Sequence, residues 1–314
     1  MNAGEPLTAA ELRIRNGLRR HVDALAGEIG ERHVFKPAAL ERCAAYIERE
    51  LQSLGYRPRA QTFLAHGRDV RNIEVEIPGF RRPDRIVVAG AHYDSVPGCP
   101  AANDNGSGVA ALLEAARVFT GLRPSESVRL VFFVKEEPPF FQTEEMGSLV
   151  YARRCRQRGE NVVGMLSLET IGCYRDEPGS QVYPLPAWYA RTMPSKGNFL
   201  AFVGNVSSWR LTRRCRMLFG LHSRDFPARW AALPSAVTGI GWSDHWSFWQ
   251  AGYPAVMATD TAPYRYPHYH RPTDTPDKLD FDRTARVTAG LAGVIASLAG
   301  ASLAGAASSA EGKQ

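Results

Sequence analysis

His92 and Asp94 stand two residues apart in Gly90-Ala91-His92-Tyr93-Asp94-Ser95, at the end of an apolar run. Asp104 follows in the turn Ala102-Asn103-Asp104-Asn105-Gly106-Ser107-Gly108, just before a helical pattern. Zinc chemistry needs this supply: an imidazole nitrogen, an oxygen ligand that can bridge two metals, and a further carboxylate to orient the imidazole. Taken alone, the segment equally suits ordinary polar residues at a strand end. The rest of the chain adds ligands. The apolar run Val128–Val134 leads directly into Lys135-Glu136-Glu137-Pro138-Pro139. In an irregular turn one of these carboxylates could ligate a metal while the other takes a proton from metal-bound water. Leu166-Ser167-Leu168-Glu169 places another carboxylate at a strand end. Trp242-Ser243-Asp244-His245 precedes an aromatic helix, and Pro267-His268-Tyr269-His270-Arg271-Pro272-Thr273-Asp274 offers a second imidazole source in a loop held by prolines. Two His, one Asp and two Glu from separate strand-end loops could hold two zinc ions with mixed nitrogen and oxygen ligands.

The elements that must position these residues are readable from periodicity. Thr8 and Glu11 form a capping-box pattern, with Leu18, Val22, Leu25 and Ile29 at helical spacing behind them. Pro37 opens a second helix with the face Leu40, Cys43, Ala44, Ile47, Leu51 and Leu54, stopped by Gly55. Short β segments at Gln61–Ala65 and Val70–Ile77 precede Arg85–Ala91, whose run Ile86-Val87-Val88-Ala89 marks a strand buried on both faces. Val109, Leu112, Leu113 and Ala116 face one side of the next helix. Further strands are predicted at Val128–Val134, Val162–Leu168, Phe199–Val203 and Ala255–Ala258, and helices at Met146–Arg156 and 281–299. This alternation predicts an α/β fold with a mostly parallel, doubly wound mixed sheet flanked by helices. Ligands bind beyond the carboxyl ends of the strands of such sheets, where the polar residues above fall. A long, proline-rich loop after Glu169 carries Tyr174, Tyr183, Trp188 and Tyr189; it could wall a pocket for an apolar side chain, although aromatics in long loops more often just anchor them. Residues 1–36 read as an N-terminal helical segment, 37–299 as the main domain, and 300–314, rich in Ala, Ser and Gly, as a flexible tail.

Composition narrows the function classes. The 314 residues are 44% hydrophobic and 22% charged, ordinary for a globular protein. The formal net charge is +6, but the basic residues are scattered without a long like-charge run, which argues for solvated faces and against nucleic acid as a partner. No apolar run is long enough to span a bilayer. Five cysteines without a CxxC pair argue against both a disulfide framework and a cysteine zinc site. Residues 1–30 are interrupted by charges and contain no apolar export core. Together with the odd cysteine count this predicts a cytoplasmic protein with free thiols.

With these residues in hand the chain resembles the co-catalytic zinc aminopeptidases, a metallo-exopeptidase family whose relatives include bacterial leucyl aminopeptidases and glutaminyl cyclases. The resemblance runs from about Pro37 to about Ala299 and rests on GAHYDS, NDNGSG, the Glu-Glu after a strand, SDH before an aromatic, and YHRPTDTPDKLD, all in order. It implies a zinc-exopeptidase (phosphorylase/hydrolase-like) fold, two zinc ions and a peptide substrate. His92 would ligate one zinc, Asp104 bridge both, and Glu137 and Glu169 add one carboxylate to each, with His270 as the second imidazole. Glu136 would be the general base toward the attacking water and Asp94 the partner of His92. From the residues themselves, Asp244, His245 and Tyr269 are candidates to support the ligands or touch substrate, although Asp244 and His245 equally suit the plain start of their helix.

The family usually has Asp where Glu169 stands, which bears on the second metal. Its Glu-Glu is commonly followed at once by Gly, whereas here Pro138–Thr143 intervenes and a second pair, Glu144-Glu145, precedes Met146-Gly147-Ser148. Glu136-Glu137 are preferred because they leave the strand directly, whereas Glu144-Glu145 suit the start of the next helix. His270 is preferred to His268 as the ligand. The implied activity is hydrolysis of the N-terminal residue of a peptide; the alternatives are a glutaminyl cyclase with a single zinc and a non-catalytic metal-binding domain of the same fold.

Overall fold

The computed structural model describes residues 6–184 and 187–303. Among these a single eight-stranded sheet organises the chain. Its strands are β1 (Arg59–Ala65), β2 (Arg68–Ile77), β3 (Arg82–His92), β4 (Glu126–Phe133), β5 (Asn161–Glu169), β6 (Leu200–Asn205), β7 (Ala228–Leu233) and β8 (Ala255–Thr259), in the spatial order β1-β2-β4-β3-β5-β8-β6-β7. The centre is parallel: β4, β3, β5 and β8 run together. β2 joins β4 antiparallel through the β1–β2 hairpin, and β6 lies antiparallel to β8 while pairing parallel with the edge strand β7.

Strand side chains alternate between two layers, as the pleat requires. Val87, Ala89, Leu130, Phe132, Leu166, Leu168, Val256 and Phe202 point to one face, where they form the larger core with α1 (Ala9–Val22), α2 (Pro37–Ser53), α3 (Gly108–Val118), α6 (Trp209–His222) and α8 (Phe281–Leu298). Ile86, Val88, Val131, Phe133 and Met165 point to the other, against α4 (Gly147–Gln157) and α7 (His245–Gln250). The short helix α5 (Ala187–Ala190) lies in the long loop after β5. Burial of strand residues on both sides explains the unbroken apolar run of β3.

The helix starts follow local chemistry. The Thr8 capping box is formed, with Thr8 N donating to Glu11 Oε2 at 2.7 Å and Glu11 N to Thr8 Oγ1 at 3.2 Å. Asp280 caps α8, accepting from Arg283 N at 3.0 Å. Two expectations need correction. Glu144 and Glu145 do not begin a helix: they sit in the turn before α4, which starts at Gly147. Glu144 pairs with Arg153 and Glu145 with Lys135. The strand β7 and the helix α6 were not anticipated. Of the expected tail, residues 304–314 lie outside the described residues. Among the described residues no helix is long and apolar enough to cross a membrane.

Candidate metal centre and active site

Three parallel strands deliver their ends to one place. His92 closes β3, Glu136 and Glu137 follow β4, and Glu169 closes β5. Asp104 comes from the irregular turn between β3 and α3, and His270 from the loop between β8 and α8. All of these residues except His270 are almost fully buried.

Asp104 stands between the imidazoles. Its Oδ1 lies 3.4 Å from His92 Nε2 and its Oδ2 3.0 Å from His270 Nε2. Around His92 Nε2 are Glu169 Oε2 at 3.3 Å and Glu136 Oε2 at 3.8 Å. Beside His270 Nε2 is Glu137 Oε2 at 3.3 Å. Two groups of donors share Asp104, namely His92, Asp104 and Glu169, and Asp104, Glu137 and His270, and a third set, His92, Glu136 and Glu137, lies between them, with ligand atoms within 4.8 Å of one another in each. Asp94 lies behind them: its Oδ1 faces His92 Nδ1 at 3.6 Å and accepts from Glu136 N at 3.1 Å, while Oδ2 accepts from Glu137 N at 3.2 Å. One carboxylate thus faces the back of an imidazole and fixes the turn that carries both glutamates.

The charge balance tests whether cations fit. Gathering Asp94, Asp104, Glu136, Glu137 and Glu169 out of water with only two imidazoles costs much free energy unless positive charge joins them. Burial pushes Glu137 and Glu169 up to about 7, with the Asp104 charge adding to both. Burial also raises Glu136, with the charges of Glu137, Glu169 and Asp244 adding and His92 opposing. For His92, burial favours the neutral ring, yet Glu169, Glu136, Asp104 and Asp94 outweigh it and hold the proton on. His270 is driven up to about 10 against burial by Asp104 and Glu137. Asp104 moves the other way: burial would raise it, but His270 and His92 hold it ionised. The buried atoms His92 Nδ1, Glu137 Oε1 and His270 Nε2 lack a hydrogen-bond partner. Mixed imidazole and carboxylate donors with an anionic excess suit divalent zinc, so the residues present fit the implied metal.

Other sequence candidates separate clearly. His268 bonds to Thr273 Oγ1 at 2.8 Å and is absent from the cluster. The Tyr269 ring stacks on His270, with centroids 3.9 Å apart and planes at 16°. Asp244 is fully buried with both carboxylate oxygens unpartnered, and its charge reaches Glu136. His245 turns away, its Nε2 donating to Ile240 O at 2.6 Å and its ring packing edge-on against Trp249. Ser243 donates to Glu169 Oε2 at 2.8 Å and so orients that carboxylate.

Several supporting residues escaped the sequence. Asp274 accepts from Asn103 N and Asp104 N at 2.9 and 3.1 Å, and Tyr266 steadies it from 2.7 Å. Asn105 Oδ1 accepts from Thr170 N and Gly108 N at 3.1 Å each, tying the turn to the end of β5. A Cβ on Gly108 would lie 2.3 Å from that same oxygen, so glycine is required there. Arg32 is fully buried and donates to the carbonyls of Tyr93, Pro100 and Ala101 at 2.8, 2.7 and 3.0 Å. The "PTD" run was the available signal for Asp274; Arg32 carried none.

Beside the cluster, a cavity of about 540 Å³ lies on the sheet face that α4 and α7 leave open. Glu169 and Tyr269 form its inner end, and Tyr183, Met193 and Pro194 of the long loop wall it. Tyr183 therefore bounds an apolar pocket, whereas Tyr174 anchors the loop, packing edge-on against Phe226 at 5.1 Å. Trp188 is exposed, and the side chain of Tyr189 lies outside the described residues.

A mixed sheet with candidate metal donors at the ends of its central parallel strands is the zinc-exopeptidase type of fold. The chain belongs to peptidase family M28, whose model matches residues 72–295. It is 38% identical over 260 residues to the uncharacterized protein YfbL of Escherichia coli (strain K12), covering 80% of this chain and 78% of YfbL. It is 29% identical over 248 residues to a probable leucine aminopeptidase 1 of Trichophyton verrucosum, covering 73% of this chain. Only 58% of that fungal protein's length is spanned. Among solved structures, an aminopeptidase from Aneurinibacillus sp. strain AM-1 superposes with TM-score 0.70 at 17% identity, covering 93% of this chain and 95% of its own. A Fimbriiglobus ruber glutaminyl cyclase gives 0.67 at 20% identity, covering 93% and 97%. These similarities support a hydrolase.

Proposed function

We propose that the chain is a zinc-dependent aminopeptidase that hydrolyses the N-terminal residue of peptides. The observation that carries this reading is Asp104 presenting one oxygen to each imidazole, with Glu136 beside them. His92, Asp104 and Glu169 would hold one ion, and Asp104, Glu137 and His270 the other. Bound zinc would polarise the scissile carbonyl and make water acidic enough to attack at neutral pH. Glu136 accepts the proton of the attacking water and returns it to the leaving amine, so the peptide C–N bond breaks as the new C–O bond forms. Asp94 fixes the backbone of Glu136 and Glu137 through their amides. Tyr269 stacks on the His270 ring and limits its rotation.

A glutaminyl cyclase with one zinc is the second reading, favoured by Glu169 in place of the usual Asp and by the cyclase-like fold. Aminoacyl-anilides and an N-terminal glutaminyl peptide, assayed with a zinc titration, separate the two. Anilide hydrolysis with near two equivalents of zinc supports the aminopeptidase. Ammonia release from the glutaminyl peptide with one equivalent overturns it. The reading includes a cytoplasmic location, supported by unpaired thiols at all five cysteines. Recovery mainly from periplasm or medium on fractionation would refute that location.

A further inference from the structure

The cavity is larger than one leucine side chain needs and has a charged far end. Its floor is the sheet itself. Register pairs Glu169 with Thr259, Thr259 with Ala201 and Ala201 with Arg229, one row across β5, β8, β6 and β7. With neighbouring strands about 4.8 Å apart, the row sets the backbone of Arg229 about 14 Å from that of Glu169. Between them the floor is apolar, made by Ala201, Val203 and Met257. Apart from Glu169, which belongs to the metal cluster, Arg229 is the only charged group among the described residues lining the cavity. It lines the cavity, is solvent-exposed and has no carboxylate partner among the described residues; its guanidinium makes one long hydrogen bond, to Ala228 O at 3.4 Å. A volume of about 540 Å³ is that of a site for a ligand larger than a single aliphatic side chain.

We propose that Arg229 is a specificity-determining residue. The pocket receives an N-terminal residue whose side chain is long and apolar along its length and carries an anionic or hydrogen-bond-accepting group at its far end, as tyrosine does, and it rejects side chains with a cationic end. This rests on the aminopeptidase reading for the chemistry, but the recognition stands on the cavity alone. A guanidinium that has lost no charge to a protein partner gives its full donor set to a ligand, and hydrogen bonds to charged groups are the stronger kind. A substrate ammonium would meet like charge at that end of the cavity.

The test uses amino alcohols, which lack a scissile bond: phenylalaninol bearing a para carboxylate or a para aminomethyl group. Binding to the zinc-reconstituted full chain is measured by calorimetry, with Arg229→Gln and Arg229→Lys alongside. The carboxylate should bind wild type at least about tenfold more tightly than the aminomethyl compound. That preference should collapse in Arg229→Gln and largely return in Arg229→Lys, which keeps the charge. A preference unchanged in Arg229→Gln places the carboxylate elsewhere, on zinc for example, and overturns the inference; so does no preference in wild type. The matching anilides are assayed in parallel. If none is hydrolysed while the alcohols behave as expected, the aminopeptidase reading fails and the recognition by Arg229 stands.

Discussion

Asp94→Asn changes one atom and should weaken the whole centre. In the wild type Asp94 Oδ1 and Oδ2 each accept one backbone amide, from Glu136 at 3.1 Å and Glu137 at 3.2 Å. Asparagine has one acceptor oxygen, so in either orientation its NH2 faces an amide N–H. One charge-assisted bond is lost, the other becomes neutral, and a buried donor is left unmade. From typical values for such losses the expected cost is ~2–4 kcal/mol. For a chain of this size that is roughly 4–8 °C in Tm, at roughly 2 °C per kcal/mol. The carboxylate 3.6 Å from His92 Nδ1 is also lost, and neutralising the partner of a ligating imidazole costs about tenfold to hundredfold in metal affinity. Thermal melts with and without a chelator, and zinc competition against a chromophoric chelator, read the two effects separately. Because the amide bonds do not involve zinc, the Tm deficit should persist in chelator. An unchanged melting point together with unchanged zinc affinity would refute the role given to Asp94.

Glu136→Gln should lower kcat by about 10²–10⁴-fold with zinc content intact, since an amide cannot accept the proton; an active Glu136→Gln beside an inactive Glu144→Gln or Glu145→Gln would reassign the base. Chelation should lower Tm, because stripping zinc leaves the buried carboxylates facing one another, and elemental analysis after reconstitution should give near two equivalents. Burial pushes the thiols of Cys43, Cys99, Cys155, Cys173 and Cys215 up to about 12, so a thiol reagent at pH 8 should label none of them until guanidinium is added. Glu31 is held down to about 2 because His33, Lys36 and the Gly98 amide outweigh the effect of burial. Its stabilising contribution is therefore present above the unfolded value near 4.5 and lost as pH falls towards 2. Glu31→Gln should be less stable than wild type at pH 7, with the gap narrowing below pH 4.5; a gap that widens on acidification contradicts the assignment.

The candidate site residues were legible because most sit where an apolar strand stops, and a charged residue leaving a buried strand has few structural reasons to be there. His92, Glu136, Glu137 and Glu169 all have this signature. Choosing His270 over His268 required the resemblance, since both lie in one proline-bounded loop. Arg32 was invisible because its partners are carbonyls near residue 100, and neither end of those bonds has a local pattern. β7 was missed because Ala-Arg-Trp-Ala-Ala-Leu is only partly buried, at a sheet edge, and shows no clean alternation. The helix α6 was masked by Arg210, Arg213, Arg214 and Arg216, which interrupt its narrow apolar stripe of Leu211, Cys215, Leu218 and Phe219. Asn103, Asn105 and Asp274 act on backbone groups distant in sequence, a relation that spacing does not encode.

The division of the sheet has an evolutionary consequence. The proposed metal donors hang from β3, β4 and β5 and from loops braced by Asp94, Asp274 and Asn105, whereas the far cavity is floored by β6, β7 and β8 and walled by the loop after β5. A substitution at Ala201, Arg229 or Met193 alters what the cavity accepts without touching a donor atom. Sequence change can therefore explore new substrates on one half of the sheet while the hydrolytic half stays fixed, as if a common handle carried exchangeable bits.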